Sequence, residues 1–257
     1  MLALRDVVRS AGWSIVRSVI DALDDVVFPP HCLITGRPLS RQTEVLPLVS
    51  AEGLDACEPA PYPVDLMLTV QRHIEADDIA LSALHAIWGH APTSDIGKLI
   101  YAVKYKGHKK LAFAMGQRLG RHVLADRAEE ERFATTPLTI ALVPVPIHRA
   151  RKRERGYNQA LLIAQGMAEV MKVPVWEALH RARNTSSQTT LSEAARLANV
   201  QDVFELAPHF DRALSKGASL LLVDDVLTTG ATLNTCAWML LNAGALRVEA
   251  ATICATL

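Results

Sequence analysis

LLLVDDVLTTGATLNTCAWMLLNA, residues 220–243, is the stretch whose reading decides the fold. Leu220 to Val223 make an uninterrupted apolar run, as a strand buried on both faces requires. Asp224 and Asp225 follow at its end. A short loop of small and hydroxyl-bearing residues comes next, Thr228-Thr229-Gly230-Ala231-Thr232. Leu233, Cys236, Ala237, Leu240 and Leu241 then recur at helical spacing and share one face, and Gly244 stands where a helix C-cap is wanted. The unit reads strand, acidic pair, hydroxyl loop, helix.

That order carries chemistry. A helix N-terminus offers backbone N–H groups and a partial positive charge to whatever lies in the preceding loop. Gly230 admits a close backbone approach, and Thr228, Thr229 and Thr232 add hydroxyls, which together make a phosphate cradle. Charge-assisted hydrogen bonds contribute about 1.5–3 kcal/mol each, so a few anchor a phosphate. The carboxylates of Asp224 and Asp225 would repel that phosphate, but they can accept hydrogen bonds from neighbouring sugar hydroxyls. A phosphate at one end and a free diol beside it describe a ribose 5-phosphate.

The rest of the chain bounds this reading. Of 257 residues, 50% are hydrophobic, enough for one large domain or for one domain with a small appendage. Lys+Arg and Asp+Glu are both 27, so the chain has no overall basic excess of the kind that marks nucleic-acid binders. Charge is nevertheless uneven. Lys98, Lys104, Lys106, Lys109, Lys110, Arg118 and Arg121 run together with no acid among them, and Asp126, Glu129, Glu130 and Glu131 follow. Cys32, Cys57, Cys236 and Cys254 are too scattered for a disulfide framework, and no apolar run approaches the ~20 residues of a membrane span. With charged residues interrupting the N-terminus, a cytoplasmic location is expected.

Residues 3–27 carry Leu4, Val8, Ala11, Ile15, Val19, Ala22 and Val26 on one helical face, and Phe28-Pro29-Pro30 stops that helix. Residues 31–63, rich in proline and glycine, read as loop or a small irregular module. The expected division is therefore 1–63 and 64–257. The stretch 79–88 fits a strand pair or a helix. Ser94 signals a helix over 95–105, Gly107 breaks it, and a second helix runs from Lys109 to about Leu124. Thr139–Val143 reads as a buried strand, followed by a basic loop over Arg149–Arg155 and a helix from Asn158 to about Met171. Residues 181–204 read as an exposed, mobile segment, and Val248–Cys254 as a final strand. Strands alternating with helices give an α/β fold with a parallel sheet. In such a sheet ligands sit beyond the strand C-termini, so the basic loop and the phosphate loop would face one crevice, where cations suit a pyrophosphate.

VDDVLTTGAT (223–232) resembles the phosphoribosyl-diphosphate (PRPP) signature of type I phosphoribosyltransferases. VPVPIHRARKRERGYNQALLIAQ (143–165), LIYAVKYKGHKKLA (99–112) and SSQTTLSEAARLANVQDVF (186–204) narrow the resemblance to the ComF family of competence-associated, phosphoribosyltransferase-like proteins, over residues 79–257. The resemblance implies a type I phosphoribosyltransferase-like parallel sheet flanked by helices. It gives Asp224 and Asp225 the ribose hydroxyls of Mg²⁺-bound PRPP, and Thr228, Thr229, Gly230, Ala231 and Thr232 the 5-phosphate. Arg155, Gly156, Tyr157, Asn158 and Gln159 fall on the pyrophosphate side and Lys104 and Tyr105 on the hood, while Gln188, Thr189, Arg196 and Asn199 lie on a mobile loop that closes over the site.

The chain departs from the family at its N-terminal zinc module. Cys32 stands alone, with Thr35 where a second cysteine belongs, and Cys57 is also single. Four ligands cannot be gathered at normal spacing, so a degenerate, metal-free remnant is expected, with no metal on the cysteines. Two functions follow from the resemblance. One is transfer of a phosphoribosyl group from PRPP to an unknown acceptor. The other is a non-catalytic competence factor that binds a nucleotide, single-stranded DNA or a DNA-uptake protein.

Overall fold

The computed structural model describes residues 29–40, 42–91, 94–130, 141–181, 204–211 and 216–256. The helix expected over 3–27 and the loop bearing Gln188, Thr189, Arg196 and Asn199 lie outside them. The chain divides into two compact units, Met1–Ala56 and Cys57–Leu257.

In the first unit, β1 (Glu44–Leu46) and β2 (Val49–Ser50) pair antiparallel and lead into the short helix α1 (Ala51–Asp55). The Ser50 hydroxyl caps α1 by accepting from the Gly53 N–H at 3.1 Å. Cys32 lies buried beside this corner. Its sulfur accepts from the Ser50 hydroxyl at 3.3 Å, the Ser50 N–H at 3.4 Å and the Thr35 N–H at 3.5 Å. Burial pushes the thiol pKa up, but these donors outweigh it and bring it down to about 6.

The second unit holds α2 (Pro63–Gln71), β3 (Leu84–His90), α3 (Asp95–Tyr105), α4 (Lys109–Glu130), β4 (Ala141–Pro144), α5 (Arg149–Arg155), α6 (Gln159–Met171), β5 (Leu179–Arg181), β6 (Phe204–Leu206), β7 (Ser219–Leu227), α7 (Ala231–Asn242) and β8 (Arg247–Thr256). Four of the strands form one sheet in the order β3-β8-β7-β4, every pair parallel, while β5 and β6 make a separate antiparallel pair. The central strand β7 has Leu220–Val223 fully buried because both faces are covered. Alternate residues serve the two sides. Ala141, Val143, Leu220 and Leu222 join Leu66, Val70, Cys236, Ala237 and Leu240 in one core, beneath α2 and α7. On the other side α4 and α6 press together at two glycines. A Cβ on Gly116 would sit 2.1 Å from the Ile163 carbonyl oxygen, and one on Gly166 2.0 Å from that of Phe113.

Three expectations need correction. The apolar run over 220–223 is not a whole strand, because β7 continues through the acidic pair to Leu227, held by β8 as far as Leu227↔Ala255. The ambiguous stretch 79–88 leads into β3, whose Leu84, Ala86 and Trp88 are buried because α2 and α4 cover it. The basic loop is the short helix α5: Ala, Arg, Lys and Glu are strong helix formers, His148 caps its start and left-handed Gly156 (φ 78°) ends it.

Near the beginnings of β3 and β8 a charged cluster is buried. His85 Nδ1 lies 2.9 Å from Asp126 Oδ2, Arg127 bonds Glu249 Oε2, and Arg247 Nε donates to Glu249 Oε1 at 2.9 Å. Burial raises the Glu249 carboxyl, but His85, Arg127 and Arg247 prevail and hold it at about 2. The cluster sits at the opposite end of the strands from the phosphate loop.

Candidate functional site

The acidic pair occupies the last turns of β7 before the chain leaves the sheet. Successive strand residues point to opposite faces, and the two carboxylates accordingly have different neighbours. Asp225 is buried and its Oδ1 lies 3.1 Å from Lys104 Nζ, which α3 delivers from its last turn. Asp224 faces the α7 side, where its charge raises the Cys236 thiol further after burial has done most of the work. Asp224 Oδ1 also accepts from the Asp225 N–H at 2.8 Å. Burial and the adjacent Asp225 push Asp224 up to about 7, against the opposing pull of that hydrogen bond and of Lys104.

The phosphate loop follows. Thr228, Thr229, Ala231 and Thr232 are exposed, and Gly230 turns left-handed (φ 79°) at the start of α7. Gly230 has no side chain with which to cap the helix, so the N–H groups of the first turn face the loop. The Thr229 hydroxyl accepts from the Ala231 N–H at 3.4 Å, a long bond that a bound anion could replace. A Cβ on Gly230 would lie 2.7 Å from Val70 Cγ2 of α2, so the loop is braced from behind by a helix that no local motif announces. Asn234 braces α7 in the same way: its Oδ1 accepts from the Ala80 N–H at 2.7 Å and its Nδ2 donates to the Asp78 carbonyl at 2.8 Å. Sequence reading misses Val70 and Asn234 because their partners lie far along the chain.

Next to the acidic pair, Lys104, Tyr105, Gly107, Glu154 and Arg155 line a cleft of about 230 Å³. The Arg155 guanidinium lies over the Tyr105 ring at 5.1 Å, and its terminal nitrogen donates to the Tyr105 hydroxyl at 3.4 Å. Arg155 Nε is buried and has no hydrogen-bond partner among the described residues. An orphan guanidinium N–H beside Lys104 is a donor set for an anion. A larger cavity of about 410 Å³, lined by Leu161, Val175, Trp176 and Phe210 among others, shares no residue with this cleft, the acidic pair or the phosphate loop.

The remaining residues of the RGYNQ run are placed inside the fold. Gly156 ends α5; Tyr157 is buried and its hydroxyl donates to the Val103 carbonyl. Asn158 caps α6, with its Oδ1 accepting from the Ala160 N–H at 3.2 Å and its Nδ2 donating to the Val145 carbonyl at 3.0 Å. Gln159 is buried, and its Nε2 lacks a partner among the described residues. Tyr157 and Asn158 thereby tie α3, the end of β4 and α6 into one corner that sets the position of Arg155. Among the described residues no three His, Cys, Asp or Glu side chains gather closely enough to form a metal cage. Asp224 and Asp225 instead offer two carboxylates, which suits Mg²⁺ that takes its other ligands from water and a phosphorylated substrate.

The chain is similar in sequence to known proteins. Residues 158–257 match the phosphoribosyl transferase domain family. The DNA utilization protein YhgH of Salmonella typhi is 31% identical over 167 residues, covering 64% of this chain and 69% of the relative. Competence protein F of Haemophilus influenzae is 30% identical over 53% of this chain and 59% of its own length. Competence protein ComFC of Bacillus subtilis is 35% identical over 40% of this chain, which spans only 39% of that relative. A glutamine phosphoribosylpyrophosphate amidotransferase from B. subtilis overlaps at a TM-score of 0.35 and 18% identity, over 54% of this chain and 25% of the other, an overlap that bears on neither substrate nor activity. The parallel sheet with flanking helices is the type I phosphoribosyltransferase fold. With the YhgH and competence proteins as its relatives, the chain belongs to the ComF family.

Proposed function

We propose that this protein binds PRPP at the end of β7 and transfers its phosphoribosyl group to an acceptor, releasing pyrophosphate. One observation carries the reading: the acidic pair, the hydroxyl-rich helix start and a cleft with an orphan Arg155 N–H meet at one end of the sheet. The exposed loop from Thr228 to Thr232 takes the 5-phosphate, and Asp224 and Asp225 take the ribose hydroxyls. Arg155 and Lys104 take the pyrophosphate end, where their positive charge stabilises the charge that develops as the bond to the sugar breaks. When bound with the donor, Mg²⁺ supplies further neutralisation of the leaving group, and Asp224 and Asp225 are the residues that would hold it. Calorimetry with Mg²⁺-PRPP tests the reading: the double substitution Asp224→Asn, Asp225→Asn should abolish binding while the folded signal in circular dichroism persists. Unchanged affinity would refute it.

A second reading has its own support. Tyr101 and Tyr105 are each 55% exposed, their rings 5.0 Å apart, with Lys106 over the first ring and Arg155 over the second. Exposed rings among cations are a stacking platform for unpaired bases, and relatives carry the names DNA utilization and competence protein. On this reading the fold serves single-stranded DNA during uptake, with or without turnover. Affinity for a single-stranded oligonucleotide should then fall steeply with salt and with Lys→Ala changes at 106, 109 and 110. Salt-insensitive binding would reject it.

A further inference from the structure

Lys104 has two anionic destinations. Its ammonium lies 3.1 Å from Asp225 Oδ1, and both side chains are largely enclosed, 23% and 12% exposed. Lys104 also lines the cleft that Arg155 enters, so the same group faces the carboxylate on one side and the anion cleft on the other. Arg155 has a different partner, Tyr105, which meets its guanidinium by ring contact and hydrogen bond. Lysine suits exchange: it is a compact charge on a flexible four-carbon stem, and it needs no planar match to its partner. Asp225, for its part, has its Oδ1 engaged by the ammonium, which competes with a sugar hydroxyl for that oxygen.

We infer that Lys104 is an exchangeable counter-ion, which neutralises Asp225 in the empty site and moves to the pyrophosphate end when the donor binds, so that anion binding in the cleft frees the carboxylate for the ribose. The inference rests on the reading of the cleft as a pyrophosphate site. It gives buried Asp225 an internal cation that offsets its charge beside the half-buried Asp224. It also makes the donor self-selecting. A ribose 5-phosphate lacking the pyrophosphate gives Lys104 no reason to leave, so Asp225 stays occupied.

Lys104→Met keeps the apolar stem and removes the charge. With the internal cation gone, the acidic pair should take up Mg²⁺ alone more tightly, by about tenfold, while affinity for Mg²⁺-PRPP falls by about tenfold or more. Both are read by calorimetry on the full chain. Lys104→Arg, which keeps the charge, should leave the first affinity near that of the unsubstituted protein. The opposite directions are the signature, because a lysine that only props the fold would weaken both bindings when removed. Equal or weaker Mg²⁺ uptake in Lys104→Met overturns the counter-ion role, and so does unchanged PRPP affinity. Failure of the unsubstituted protein to bind PRPP is a separate result: it overturns the donor reading and, with it, the transfer of Lys104.

Discussion

Asp224→Asn should stabilise the unliganded protein, and by an amount that grows with pH. Burial and the neighbouring Asp225 push the Asp224 carboxyl from 3.8 up to about 7. Between those values the folded chain holds a proton that the unfolded chain has released, so stability falls as pH rises and the loss is complete above about 7. A shift of roughly three units corresponds to a ceiling of about 4 kcal/mol. Partial solvent contact screens the charge, so a gain of about 1–3 kcal/mol is expected at pH 8 from removing it. Asparagine has nearly the same shape and keeps an Oδ1 to accept from the Asp225 N–H, so no packing or hydrogen-bond loss confuses the result. Urea unfolding of both proteins at pH 5 and pH 8 reads the difference, with equal m-values required for the comparison. The variant should gain more at pH 8 than at pH 5. A gain independent of pH, or a loss at pH 8, would refute the claim that burial and Asp225 make the Asp224 charge unfavourable in the folded chain.

Two further substitutions probe the supports of the site. Glu249→Gln leaves buried His85 and Arg127, and half-buried Arg247, without their shared carboxylate, and should cost about 3–5 kcal/mol in denaturant unfolding at pH 7. Because the Glu249 carboxyl is depressed to about 2, its contribution is present above the ordinary value of 4.5 and is lost as pH falls through about 2; the variant should therefore show a flatter acid limb. Gly230→Ala places a Cβ against Val70 in a left-handed backbone, and should displace the phosphate loop and cost at least about 1 kcal/mol. Its PRPP affinity should fall with it, and retention of both stability and affinity would show that the loop is not braced by α2.

Local pattern was enough to give the parallel α/β fold, the strand–acid–loop–helix unit and the family. The apolar run at 220–223, the helical repeat from Leu233 to Leu241 and Gly244 at the end of that helix are all read from neighbours within a turn or a strand. The same locality misjudged α5, whose dense charge concealed good helix formers, and left β3 undecided, because a short apolar run is compatible with either period until its sheet partner is known. What the tertiary structure alone decided is the wiring of the site. Lys104 meets Asp225, Val70 backs Gly230, Asn234 holds Ala80 and Tyr157 reaches Val103. Each of these contacts joins segments remote in sequence. Residue type fixes what a side chain can donate, accept or neutralise; only the packing of the sheet and its helices fixes which partner it finds.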